Sequence, residues 1–559
     1  MPMTLDEAVA HLSATDPRFP LGEAVIRGEA LPIFSAAPAD LPALQRYGAG
    51  LRTAGQDYIV YEGERISYEA WMAETARLAA GLVAMGVKPG DRVAVAMRNY
   101  PEYLTLIFAI SGVGATAVLI NAWWTTEELD YGFADSGAKL VFADGPRAER
   151  ILPFAEKRGL RLVMVRDPGP AGLPRYEDVL APAGAAMPAV KIDTDSDFAV
   201  MYSSGTTGHP KGVALTHRGA CQAVWSWYFA IMLGPLMAET PPAPKPQAVL
   251  CATPLFHVTA THPIFLLSIA LPAKFVMMRK WSGEEAAELI EREEVTRFLG
   301  VPTMSADLIE AARRTGRKLA SLTSLGSGGA KRPAAQVGPQ AAALPHCMVA
   351  TGWGMTETNA LGIGLQGPDY VSRPEAAGRL YPGIQQMKIA DDNGRPLPPN
   401  TLGEICIKSA TVMRAYLNKP EATAEAIRDG WLHTGDLGMV DEEGCVTILD
   451  RKKNIIIRGG ENISCLEVEG ALHRHEAVME AAVFPIPDAR LGEGVGAAIQ
   501  VTRPVTEAEL SAHLDPILAG FKKPVRYWMQ TEPLLRGATD KIDRRAIRAA
   551  CLTAEGAAA

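Results

Sequence analysis

Residues 202–212 read YSSGTTGHPKG. Ser203, Ser204, Thr206 and Thr207, interleaved with Gly205 and Gly208, concentrate hydroxyl and backbone N–H donors, and Lys211 adds a cation. The apolar run FAVM precedes them and the helix-like HRGACQAVW follows. That order predicts a strand, a loop and a helix, a geometry that aims donors at a phosphate. The common P-loop is excluded, because it needs four residues between its glycines and a Ser or Thr after its lysine. Here two residues separate Gly205 from Gly208, and Gly212 follows Lys211.

Elements must hold that loop in place, and the chain supplies them by alternation. TARLAAGLVAMGV precedes DRVAVAM, YLTLIFAISG precedes TAVLIN, and ELDYGFADSG precedes AKLVFAD. Helix alternating with apolar strand predicts an α/β fold of parallel or mixed sheets flanked by helices. At 559 residues the chain exceeds the roughly 250 to 300 that one core supports, so at least two domains are expected. After Leu449 short strands and helices mix, and the basic cluster Arg451, Lys452, Lys453 begins. This predicts a large domain over 1–450 and a small α+β domain of about 110 residues over 451–559. Segments 167–191 and 239–247 read as surface loops, and the terminal LTAEGAAA is expected to fray. The uncharged stretch 103–126 is long enough to span a bilayer, yet Gly112 and Gly114 divide it into a buried helix and a buried strand.

Composition narrows the function classes. A formal net charge of −8 disfavours a nucleic-acid binder, so any polyphosphate ligand must be met locally. The seven cysteines show no pair at zinc or redox spacing and are expected as reduced thiols in a cytoplasmic protein. The amino terminus lacks the basic start and apolar run of a secretory signal, and no G-x-S-x-G nucleophile elbow is apparent.

Four further segments recur in a fixed order with the first: SLGSGGAKRP (324–333), TGWGMTET (351–358), GWLHTGDLG followed by LDRKKN (430–454), and LLRGATDKIDRR (534–545). Together they resemble the adenylate-forming superfamily, of acyl-CoA synthetase type, over nearly the whole chain. The resemblance implies ATP, Mg²⁺ and coenzyme A as ligands. It sets Gly328, Gly329 and Ala330 along adenine and the acyl chain, and it implies that Gly352, Trp353, Gly354 and Met355 form the adenine wall. Thr356 would lie near the α-phosphate. Glu357, with Thr206, would hold the metal, which prefers one or two carboxylates plus phosphate oxygens. Asp436 would accept both ribose hydroxyls, a match for two carboxylate oxygens, with Arg451 as second ribose contact and neighbour. Lys541 would neutralise charge developing between carboxylate and α-phosphate.

The same resemblance makes the small domain a mobile lid. It would turn about Lys453 between the two half-reactions, withdrawing Lys541 and bringing Gly459 and Gly460 to the pantetheine arm. Lys522 and Lys523 are candidate partners for coenzyme A or simply a solvated helix end. Two departures stand out, Lys331 where the family usually has proline and Asp540 where it has glycine.

Amino-acid-activating relatives place an acid where this chain has Phe256 and His257 in PLFHVTATH. A buried ammonium without a counter-charge is costly, so the expected substrate is a hydrophobic monocarboxylate, with His257 beside its tunnel. The tryptophans and tyrosine of WSWYF, residues 225 to 229, read first as core. A carrier-protein acceptor, a luciferase-like oxygenase and a noncatalytic nucleotide binder remain as alternatives, and a homodimer is left open.

Overall fold

The computed structural model describes residues 2–167, 169, 172–203, 210–239, 245–459, 461–537 and 541–558. Ser204, Gly205, Thr206, Thr207, Gly208, Gly460 and Asp540 lie outside them. The expected alternation is present. Helices Tyr68–Ala84, Pro101–Gly112 and Thr126–Ser136 each feed a strand, Arg92–Ala96, Thr116–Leu119 and Leu140–Ala143 in turn. Local chemistry sets these limits: Thr125 and Glu128 form a reciprocal capping box before the third helix, and Gly137 ends it at φ 67°.

Two large sheets form the scaffold. The first has seven strands, parallel except where Lys211–Thr216 pairs antiparallel with Asp197–Ser203 and carries Ala415–Tyr416 at its edge. The second has nine, with a parallel run from Gln247–Cys251 through Arg297–Gly300 and Ser324–Ser327 to Met348–Trp353, then antiparallel Ile363–Gln366. Their facing sides share one hydrophobic core that includes Phe108, Trp225, Phe265 and Phe275. Helix Pro101–Gly112 is buried on every side within it, which accounts for its unbroken apolarity. Among the described residues no helix is long and apolar enough to cross a membrane.

A third sheet joins Gln385–Ala390, Gly403–Ser409 and Trp431–Val440 to the hairpin partner Val446–Arg451. A fourth, over residues 455–530, has its own core of Ile456, Ile463, Val468, Val483, Val495 and Leu510. Large α/β and small α+β parts are thus both present. One local expectation fails: helix Tyr176–Val179 interrupts the loop predicted over 167–191. Helix Arg544–Ala558 closes the described chain. Six of the seven free cysteines are buried and Cys551 is half-buried.

One residue fastens the second sheet to the core beneath it. Asn359, fully buried at φ 54°, follows the short turn Thr356–Thr358. Its Nδ2 donates to the Thr411 carbonyl at 2.7 Å, so its Oδ1 accepts from His262 Nε2 at 2.9 Å. Burial lowers the His262 pKa to about 4, which keeps the ring neutral. Asn359→Ala removes both bonds and strands two buried partners, and we expect a loss of about 2 to 4 kcal/mol. Thermal unfolding checks this, and an unchanged transition would show that the fastening is dispensable.

Candidate active site

The loops at the carboxyl ends of parallel strands are where open α/β sheets bind ligands. Here they converge. Strand Asp197–Ser203 delivers Ser203, whose hydroxyl donates to Glu357 Oε1 at 3.3 Å. The Tyr416 hydroxyl donates to the same oxygen at 2.9 Å, and the Lys211 amine lies 4.8 Å from the centroid of the Tyr416 ring. Burial first, and the Glu357 charge second, raise the Tyr416 pKa, so its hydroxyl stays a donor.

The predicted strand–loop–helix is corrected to strand–loop–strand. Lys211 opens strand Lys211–Thr216, and the helix His217–Met237 begins only afterwards. The residues VALT are apolar and β-branched enough to fill a buried strand, so Lys211 is held by a ladder, opposite Ser203.

Glu357 is 5% exposed, and no described residue bonds its Oε2. Among the described residues no cluster of three or more His, Cys, Asp or Glu could hold a metal. A magnesium ion fits here only if phosphate and water supply its other ligands, which is its usual preference. Thr356 is buried beside Glu357 in the same turn.

The second focus is Asp436, 3% exposed on strand Trp431–Val440. Trp353 Nε1 donates to its Oδ2 at 2.8 Å, and Arg451 Nε donates to its Oδ1 at 3.1 Å from the paired position across the hairpin. These two bonds fix the plane of the Asp436 carboxylate, whose two oxygens can each accept more than one hydrogen bond. Gly352 pairs with Gly364 beneath Trp353. Gly354 is required sterically, since a Cβ there would lie 2.1 Å from the Ala360 carbonyl oxygen. Met355 donates its amide to the Thr358 hydroxyl at 3.2 Å.

Lys541 closes the site from the carboxyl-terminal part. Gly537 N donates to the Lys541 carbonyl at 2.7 Å, and Arg536 pairs antiparallel with Ile542, which fixes the backbone at the lysine. Its Cε would be 3.0 Å from a Cβ on Gly329, which has φ 77°. Gly328 precedes that turn at the end of strand Ser324–Ser327, and Ala330 follows it, exposed. Burial first, then Arg451, lower the Lys541 pKa to about 8, against the opposing pull of Asp436. His257 is lowered to about 3, by burial and then by Lys541, so its imidazole is neutral.

Other residues singled out in the sequence lie apart from this convergence. Lys331 pairs with Glu375 at 3.3 Å on the rim. Lys522 and Lys523 pair with Glu467 and Asp515. Gly459 makes a left-handed turn at φ 60°, and Lys453 sits in the turn Lys452–Asn454. Trp225 and Tyr228 are core, the former donating to the Arg18 carbonyl at 2.8 Å. Sequence reasoning missed Tyr416 and Asn359, because a single tyrosine in RAYLN and a single asparagine carry no spacing signal.

Residues 49–417 match the AMP-binding enzyme family, and residues 467–536 match its AMP-binding enzyme C-terminal domain. The chain belongs to this family. A feruloyl-CoA synthase of Amycolatopsis sp is 35% identical over 83% of this chain and 89% of its own length. A fatty acid–[acyl-carrier-protein] ligase, ScoC of Streptomyces coeruleorubidus, is 32% identical over 88% and 92%. The crystal structure of ATP-bound MatB from Rhodopseudomonas palustris superposes with a TM-score of 0.80 at 29% identity, covering 90% of this chain and 98% of that one. This AMP-binding enzyme thus carries the large and small parts of an AMP-forming acid–thiol ligase.

The electrostatics of its lysine can be read directly. Amine-directed labelling, followed at the Lys541 peptide, is expected to reach half its maximal rate near pH 8, below the ordinary lysine range. Asp436→Asn removes the charge that raises this pKa and should move the midpoint lower. A midpoint near 10 in the unsubstituted protein would contradict the enclosure described.

Proposed function

We propose that this chain activates a carboxylic acid of hydrophobic body with ATP, giving acyl-AMP and pyrophosphate, and then transfers the acyl group to coenzyme A. The observation that carries this reading is the convergence of Lys541, Arg451, Asp436 and Glu357 from separate stretches on one strand-end cleft. In the first step a carboxylate oxygen bonds to the α-phosphorus and the bond to pyrophosphate breaks. Two anions must approach, so the site's task is to position them and neutralise charge.

Lys541, protonated below about pH 8, spans carboxylate and α-phosphate. Asp436 accepts the ribose hydroxyls, Arg451 supports it, and Trp353 with the backbone at Gly328, Gly329 and Ala330 bounds adenine. Ser203, Lys211 and the loop that includes Ser204, Thr206 and Thr207 receive the phosphates. Magnesium, when bound at Glu357 with Thr206, screens the phosphate charges. The neutral His257 flanks the acyl group. In the second step the thiolate of coenzyme A attacks the acyl carbon and AMP leaves. No protein nucleophile takes part.

Residues 451–559 act as the lid, turning about Lys453 so that Lys541 withdraws and the strip at Gly459 and Gly460 faces the thiol. Similarity to ScoC favours a second reading, delivery to a carrier protein, and similarity to the feruloyl-CoA synthase favours coenzyme A.

Pyrophosphate release is expected to depend on added acid, and acyl-CoA to form when coenzyme A is supplied. Transfer to a carrier with none to coenzyme A would select the second reading, and no acid-dependent release would end both. Lys541→Ala should slow adenylation about 10²- to 10³-fold while sparing thioester formation from supplied acyl-adenylate. The kcat/KM for adenylation should fall as pH rises through about 8, where the free enzyme's Lys541 loses its proton. Lys541→Arg, if active, should move that limb upward, and an unmoved limb would assign it to another group.

A further inference from the structure

A hairpin ahead of residues 49–417 braces the stretch of chain that carries Tyr416. Strands Leu21–Ile26 and Glu29–Phe34 pair from Leu21 opposite Phe34 to Ile26 opposite Glu29, which leaves Arg27 and Gly28 as a two-residue turn. Both have positive φ, 53° and 83°. Such a turn favours Asn or Gly at its first position, because a larger side chain there crowds its own backbone. Arginine brings no relief of that strain, so the reason for it lies in what its side chain does.

The guanidinium reaches out of the hairpin to a distant part of the chain. Its Nη1 donates to the Val412 carbonyl at 2.9 Å and its Nη2 to the Ser409 carbonyl at 3.2 Å. Ile26 and Leu31 close over Ala410 in a small core of their own, and Glu29 forms an ion pair with Lys408. The other end of the hairpin is fastened to helix His217–Met237. Phe34 N donates to Gln222 Oε1 at 2.8 Å, and Gln222 Nε2 donates back to the Phe34 carbonyl at 3.0 Å. The hairpin is thus anchored on the large scaffold and grips residues 408–412 at its tip.

That grip leads directly into the site. Met413 N donates to the Glu357 carbonyl at 2.7 Å, Arg414 N to the Ala214 carbonyl at 3.0 Å, and Leu417 N to the Gly212 carbonyl at 2.7 Å. Between them Tyr416 pairs with Val213 and donates its hydroxyl to Glu357 Oε1 at 2.9 Å. Arg27 and Tyr416 line one cleft. Glu357 therefore receives one bond to its backbone and one to its carboxylate from a stretch that Arg27 holds by two carbonyls. We infer that Arg27 is a positioning residue for the Glu357 carboxylate, acting through residues 409–416, and that the hairpin sets how tightly magnesium-bound ATP is held. This rests on the proposed activation reaction, in which Glu357 holds the metal. The outer partners of a metal-binding carboxylate orient it, and loosening them weakens the site without removing a ligand.

Arg27→Asn is the decisive substitution, because asparagine suits the turn and removes the guanidinium. Thermal unfolding should stay level or move up. In the metal-free protein, amide hydrogen exchange over residues 409–417 should quicken about tenfold. The KM for magnesium-bound ATP in acid-dependent pyrophosphate release should rise about three- to tenfold while the KM for the acid stays in place. Arg27→Lys, whose amine can reach a carbonyl, should restore part of the difference, and Tyr416→Phe should show the same split between the two KM values. Should Arg27→Asn not fold, Arg27→Gly takes its place in the same comparison. Unchanged exchange over 409–417, or an unchanged KM for magnesium-bound ATP, overturns the inference alone, as does an equal rise in both KM values. No pyrophosphate from the unsubstituted protein with any acid overturns the activation reading and this inference with it.

Discussion

The Asp436 carboxylate sits where three parts of the chain meet, and the bonds it receives are what make a single site of them. Trp353 comes from the nine-stranded sheet, Asp436 from the third sheet, and Arg451 from the last strand before the small carboxyl-terminal part. A carboxylate this deeply buried must be hydrogen-bonded to be tolerated. Both its oxygens are, and by donors that fix its plane as well as its charge. Lys541 approaches the same region from the far side of the small part, and its amine responds to both Arg451 and Asp436. Charge balance here therefore couples the large scaffold to the carboxyl-terminal part that carries Lys541.

Just beyond this node, Asp450 supplies the mechanical connection. It is buried, accepts from the Arg451 amide at 2.7 Å, and also from Ser464 Oγ at 3.0 Å and the Leu466 amide at 2.9 Å. Lys453 lies between the two segments that Asp450 ties together. A short turn bracketed by one carboxylate suits the rotation proposed above, since hinges absorb their change in a few residues at element ends. The groups proposed to meet phosphate, by contrast, stand on strands: Lys211 and Ser203 are paired across a ladder, and Tyr416 pairs with Val213 at its edge. Paired strands thus hold Lys211, Ser203 and Tyr416, and the part carrying Lys541 is joined by a turn.

Gly326, Gly352 and Gly364 leave one face of the nine-stranded sheet without side chains where it meets the core, and the Tyr381 hydroxyl reaches over Gly364, where a Cβ would lie 2.4 Å from it. Backbone is thus open to close approach along the strand ends beside Trp353.

Much of this was open to inspection in the residues alone. Alternating helix and strand patterns gave the α/β class, because burial on two faces demands them. The glycine- and hydroxyl-rich loop, TGWGMTET, the Asp436 segment and Lys541 were legible because their chemistry needs several particular residue types in close succession. What the chain order could not decide was pairing across distance. Lys211 was placed before a helix when a buried strand intervenes. Tyr416 joins Glu357 and Asn359 joins His262, all as single residues far apart in sequence. Motifs are legible where the chemistry is local. The neighbours that tune a carboxylate or neutralise an imidazole are chosen by sheet register and packing, which exist only once the chain has folded.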